Sequence, residues 1–113
     1  MVAWVIAVKE NIFDQEQIEI YQKKSQASIL DWIMRGHTLT RMAEYAGTTR
    51  IMEGDPIEGI SLTEFPSVEA AEAFYNSPMY QEAIQHRFKG GNYKFYIIGP
   101  GKIESDYFRR DGN

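Results

Sequence analysis

The chain has 113 residues and a mass of 13.0 kDa, room for one domain with one hydrophobic core. Hydrophobic residues make up 43% and charged residues 25%, which excludes a disordered polymer, and a net charge of −4 with no basic patch argues against a nucleic-acid partner. There are no cysteines, so disulfides, thiolate metal sites and cysteine nucleophiles are excluded, and a reducing compartment is suited.

The apolar opening Met1–Val8 is interrupted by Lys9 and Glu10. It lacks a positive leader and is too short to span a bilayer, so no membrane partner is expected and the cytoplasm is the expected location. Ala3 to Val8 reads as the first strand. Asp14 is a helix N-cap, and Gln17 three residues on completes a capping-box pattern. The helix continues through Ile18, Tyr21, Ile29, Trp32 and Ile33, which share roughly one face. Gly36 ends it, as the residue that adopts the left-handed conformation most cheaply.

Thr38 to Tyr45 is the expected second strand, with Thr49 to Met52 continuing it or following a bend. Glu53-Gly54-Asp55-Pro56 is turn chemistry, and Gly59 to Phe65 alternates as a third strand. Ser67 caps a helix carrying Ala71, Phe74 and Tyr75. That helix breaks at Asn76, and Ser77-Pro78 starts another with Tyr80, Ile84 and Phe88. Gly90-Gly91 end it before a fourth strand, Tyr93 to Ile98. The domain therefore spans residues 1–101, and residues 102–113 form a polar tail.

This order predicts an α+β fold of the ferredoxin-like β-α-β-β-α-β type, with a four-stranded antiparallel sheet and its helices on one face. The first and last strands are apolar on both faces: Val5 and Ala7 alternate with Trp4, Ile6 and Val8, and Tyr96 and Ile98 with Tyr93, Phe95 and Ile97. A solvated strand alternates apolar with polar instead. The bare face needs a cover, either a second copy in a two-fold dimer or the tail of the same chain. The homodimer through the sheet face is the expected partner arrangement.

Ile51-Met52-Glu53-Gly54-Asp55, the run Glu64-Phe65-Pro66-Ser67 and the run Phe74-Tyr75-Asn76-Ser77-Pro78, followed by Tyr80 and Arg87, form a recognisable pattern. It resembles domain-of-unknown-function family 1330, within the dimeric α+β barrel superfamily. Asp14, Tyr21 and Ile97-Ile98-Gly99 also fit, so the resemblance spans roughly residues 4–99. It implies the fold and the dimer, and it brings no agreed reaction. The chain departs from the family at Tyr45-Ala46-Gly47, where an arginine before two glycines is usual, around His37 and from Lys102 onward.

Glu64 follows Ile60 and Leu62 on one face of the third strand, and a carboxylate among apolar neighbours is a candidate general acid or base. The alternative is a structural ion pair. Arg87 lies two helical turns after Tyr80 on the same face, placed to clamp an anionic substrate group or to pair with Glu64 or Glu82. His37, just past Gly36, is a second catalytic candidate, or it serves the helix C-terminus as a cation. His86 is expected to face solvent. Tyr21, Tyr45, Tyr75 and Tyr80 are core residues or the lining of a pocket for a flat, partly apolar ligand, and Arg41 points inward or to solvent.

No dinucleotide fingerprint, phosphate loop or nucleophile elbow is present, so no cofactor is expected, and two separated histidines do not make a metal site. Two readings follow. One is a cofactor-free isomerase or oxygenase acting on a small organic acid or carbonyl compound, with Glu64 and His37 catalytic and Arg87, Tyr80, Tyr21 and Arg41 binding substrate. The other is a non-catalytic dimer that binds a small molecule or a partner.

Overall fold

A computed structural model defines the fold of residues 1–101, to which the description below is confined. Strand β1 (Ala3–Ile12) leads into helix α1 (Gln15–Met34), edge strand β2 (Thr40–Ala43) and strand β3 (Gly59–Phe65). Helices α2 (Val68–Tyr75) and α3 (Pro78–Gly90) follow, and strand β4 (Gly91–Ile98) closes the sheet. The strand order is β2-β3-β1-β4, antiparallel throughout, as the ferredoxin-like reading requires. The polar tail lies outside the described residues.

Local chemistry places the helix ends. Asp14 accepts a hydrogen bond from the Gln17 backbone N–H at 3.4 Å, and Ser67 accepts one from Ala70 at 3.0 Å. Gln17 does not return its side chain to the cap. Its Oε1 lies 2.8 Å from His86 Nδ1 on α3, so His86 joins two helices rather than facing solvent. Ser77 is the N-cap of α3 ahead of Pro78, but its hydroxyl turns back and donates to the Phe74 carbonyl at 2.7 Å, joining α2 to the start of α3. Gly36 has φ +92°, the left-handed conformation that ends α1.

Strand two is shorter than its sequence pattern. Pairing with β3 covers Thr40 to Ala43, with a register shift between Arg41 and Ala43, and residues 49–52 join no strand. Past the bulge the ladder ends, the Tyr45 backbone lies against Gly59, and Gly47 N–H closes a turn on the Glu44 carbonyl at 3.0 Å.

Directly opposed residues share a face. The pairs Ala3↔Phe65, Val5↔Thr63, Ala7↔Ser61 and Ala7↔Phe95 face the helices, where Ala3, Ala7, Phe65 and Ser61 are buried. Trp4, Ile6 and Val8, opposed to Glu64, Leu62 and Ile60, therefore point to the other face, together with Tyr96 and Ile98 of β4. No element of the described residues covers that face; Tyr96 and Ile98 are 52% and 48% exposed.

The core lies between the helices and the sheet, where Ile18 and Ile84 are the largest fully buried side chains. On α3 the buried set is Tyr80, Ala83, Ile84 and Arg87, the helical spacing of one face. On α1, Ile18 and Tyr21 are buried, but Ile33 is 45% exposed because the end of this 20-residue helix overhangs the packed layer.

Helices α1 and α3 approach closely at Gly90. Its carbonyl accepts hydrogen bonds from Phe13 and Asp14 N–H at 2.9 and 3.1 Å. A Cβ there would lie 2.7 Å from Ile18 Cδ1 and 2.9 Å from the Asp14 carbonyl oxygen. Gly90→Ala is therefore expected to destabilise the fold by about 1–3 kcal/mol through overpacking. Gly99→Ala meets Val68 only at 3.4 Å and should be near neutral in the same urea titration.

Candidate functional site

A cavity of about 280 Å³ opens between α1, α2, α3 and the helix-facing side of β1, β2 and β3. That is close to the lower end of ordinary ligand sites. Phe65, Phe74, Tyr75 and Phe95 form apolar walls, and Ser61 and Thr63 bring polar groups up from the sheet. Arg41 and Glu44 are exposed at the rim on the β2 side, and Gln22, Ser25 and Gln26 approach from α1.

Tyrosines dominate the polar chemistry. Tyr21 from α1 and Tyr80 from α3 are 5% and 3% exposed, and their hydroxyl oxygens are 2.8 Å apart. Tyr80 also packs on Phe74 at a ring-centroid distance of 5.1 Å and on Tyr75 at 5.6 Å. Burial pushes the phenols of Tyr21, Tyr80 and Tyr93 above their ordinary range, and it pushes Tyr45 up to about 12. At neutral pH the cavity therefore offers protonated hydroxyls, which donate and accept hydrogen bonds but do not abstract protons.

Arg87 lies behind this lining and is 4% exposed. Its guanidinium carbon is 3.9 Å from the Phe95 ring centroid, 5.4 Å from Tyr93 and 5.7 Å from Tyr21. Ring faces attract the charge. They do not satisfy its N–H donors, and the buried Nε has no hydrogen-bond partner among the described residues.

The candidates from the sequence divide between two places. Tyr21, Tyr80 and Arg41 line the cavity, and Arg87 stands next to it behind Tyr21 and Phe95. Glu64 lies on the opposite face of the sheet, where it accepts a hydrogen bond from Trp4 Nε1 at 3.1 Å. It makes no ion pair with Arg87, because the strand alternation that gives it apolar neighbours also points it away from the helices. His37 is exposed and stacks on Trp32 at a centroid distance of 4.0 Å, away from the cavity lining. Ser61, Thr63 and Phe95 were not singled out by sequence reasoning. Their signal was the alternation of Ser61 and Thr63 with Ile60 and Leu62, in which the polar set faces the helices.

Among the described residues no three of His, Cys, Asp and Glu cluster as metal ligands, and no helix is long and apolar enough to cross a membrane.

The buried phenols carry a pH signature. Each is neutral in the folded protein well past the unfolded tyrosine value of about 10, so the folded state retains protons that the unfolded chain releases. The stability contributed is intact below pH ~10 and is lost as pH rises through the folded value, which for Tyr45 is about 12. Urea midpoints should hold steady on the alkaline side of neutrality and then fall, and Tyr45→Phe should make that fall shallower.

Comparison with known proteins agrees with this architecture. The RPA0582 protein from Rhodopseudomonas palustris, a protein of unknown function, has 15% sequence identity, with 90% of this chain and 84% of that chain covered and a TM-score of 0.58. The methylated form of the RPA0582 protein matches at 16% identity, covering 89% and 84%, with a TM-score of 0.62. At these identities the likeness concerns the fold alone. No curated protein matches. The pattern of a domain of unknown function, DUF1330, matches residues 2–100, nearly the whole described chain, and the protein belongs to that family.

Proposed function

We propose that this protein binds a small, flat, partly apolar organic molecule in the tyrosine-lined cavity and acts as a homodimer through its open sheet face. The observation that carries the binding reading is the cavity itself. Aromatic walls surround a few convergent hydroxyls, the composition typical of small-molecule sites. Binding without catalysis is favoured over the isomerase or oxygenase reading by the protonation of the lining. Its phenols stay protonated, its one carboxylate, Glu44, is exposed at the rim, and no histidine lines it.

The dimer reading rests on Trp4, Ile6, Val8, Ile60, Leu62, Tyr96 and Ile98, which together form one apolar surface across the three strands β3, β1 and β4. A surface of this kind is self-complementary when a two-fold axis passes through it. The Glu64–Trp4 hydrogen bond and the Lys94–Glu10 ion pair place polar pairs at its edges, which fix register rather than adding strength. A cysteine-free domain of this kind operates in the cytoplasm on this reading.

Two measurements test these statements separately. Thr63→Trp fills the cavity from the sheet. Ligands found by calorimetric screening of small aromatic compounds should lose at least tenfold in affinity in this variant; equal affinity would place their site elsewhere. Native mass spectrometry should give twice 13.0 kDa for the natural chain and 13.0 kDa for Leu62→Arg, which puts a charge in the apolar surface. A natural chain that is monomeric removes the dimer from the proposal.

A further inference from the structure

We infer that the cavity takes its ligand as an oxyanion, a phenolate or enolate whose charged oxygen is held by the Tyr21–Tyr80 hydroxyl pair with Arg87 behind it. This inference rests on the binding reading above and adds the charge of the ligand.

Three observations converge. The two hydroxyls carry two O–H donors between them, and their 2.8 Å contact uses one. A second donor remains at the cavity wall, and an oxygen replacing the mutual contact would receive both. Burial keeps both phenols protonated, so they meet an anion as donors and not as charges.

Arg87 supplies the second observation. It is a buried guanidinium with aromatic neighbours, an unpartnered Nε and no carboxylate pairing with it among the described residues. An unpaired buried cation is costly, and cation–π contact with Phe95, Tyr93 and Tyr21 offsets that only in part. An anion at the inner end of the cavity, one side chain away, completes the balance with little solvent screening.

The third is the sign of the surroundings. Arg41 stands on the β2 side, and Lys9 Nζ lies 4.9 Å from the Tyr45 ring centroid. Glu44 is at the rim and exposed, and Glu58, also exposed, is near Tyr93. Arg41 and Glu44 offset each other at the rim, so the charge behind the inner wall is the positive one of Arg87, in a chain whose net charge is −4.

The probe is 4-nitrophenol, whose absorbance distinguishes phenol from phenolate, with 4-nitrotoluene as the neutral analogue of nearly the same shape. Bound 4-nitrophenol should ionise about one pH unit lower than in free solution, equivalent to about tenfold tighter binding of its anion. Tyr80→Phe and Tyr21→Phe, which remove a hydroxyl and keep the ring, should each reduce that shift. Arg87→Gln should abolish it if the variant folds, as checked by circular dichroism. If the two probes bind equally, or if bound 4-nitrophenol keeps its proton, the oxyanion inference is overturned while the cavity remains a binding site. If neither probe binds the natural chain or each binds Thr63→Trp equally well, the cavity reading fails and this inference with it.

Discussion

The contact between the Tyr21 and Tyr80 hydroxyls is the interaction on which the rest of the structure turns. A buried hydroxyl without a partner costs on the order of 1–3 kcal/mol, so two phenols brought into the same core must meet each other or something else. Their meeting ties α1 to the first turn of α3, as the Gly90 carbonyl ties the start of α1 to the last. Because α1 spans 20 residues and continues past this point, its second half reaches over the sheet and α2, with Ser28 buried and Ile29 and Trp32 packed on the core. The cavity is the space left there. It is closed on one side by the chain flanking β2, from which Leu39, Glu44, Tyr45 and Ala46 join the lining.

The sheet explains why its two faces have such different characters. In β3 the residues facing the helices are Ser61, Thr63 and Phe65, and those facing away are Ile60, Leu62 and Glu64. A single domain with one core would place the polar set outward. Here the polar set is inside, where Ser61 and Thr63 border the cavity, and much of the apolar set is outside. Both departures from ordinary alternation fit the proposed reading, in which one face takes a ligand and the other a second copy of the chain.

Much of this was legible in the residues. The β3 limits follow from Gly59 and Pro66, the α2 start from Ser67 and the α3 start from Ser77-Pro78, because each rests on local backbone chemistry that tertiary contacts do not override. Tyr80 and Arg87 on one helix face follow from period alone. What was not legible depends on distance through space. The length of β2 is set by a bulge against β3, and no propensity in Thr38 to Tyr45 encodes it. Glu64 and Arg87 both carry the marks of functional residues, but whether they share a face depends on which side of the sheet the helices cover. Periodicity gives the two sets of β3 residues without saying which set is inside. His86 was misplaced for the same reason, since its partner Gln17 is 69 residues away in sequence.

Helix α3 ends at Gly90 and β4 begins at Gly91, with no residue between them. The helix that carries Arg87 and the strand that carries Phe95 are thus joined directly, with no connecting segment between them. The joint also leaves no room for variation in length. One residue added there would exchange Tyr93, Phe95 and Ile97 for Tyr96 and Ile98 across the sheet, turning the aromatic seat of Arg87 outward in a single step. Change in this family is therefore far easier to accommodate in the long connection between β2 and β3, where residues 44–58 join no strand of the sheet, than at this corner.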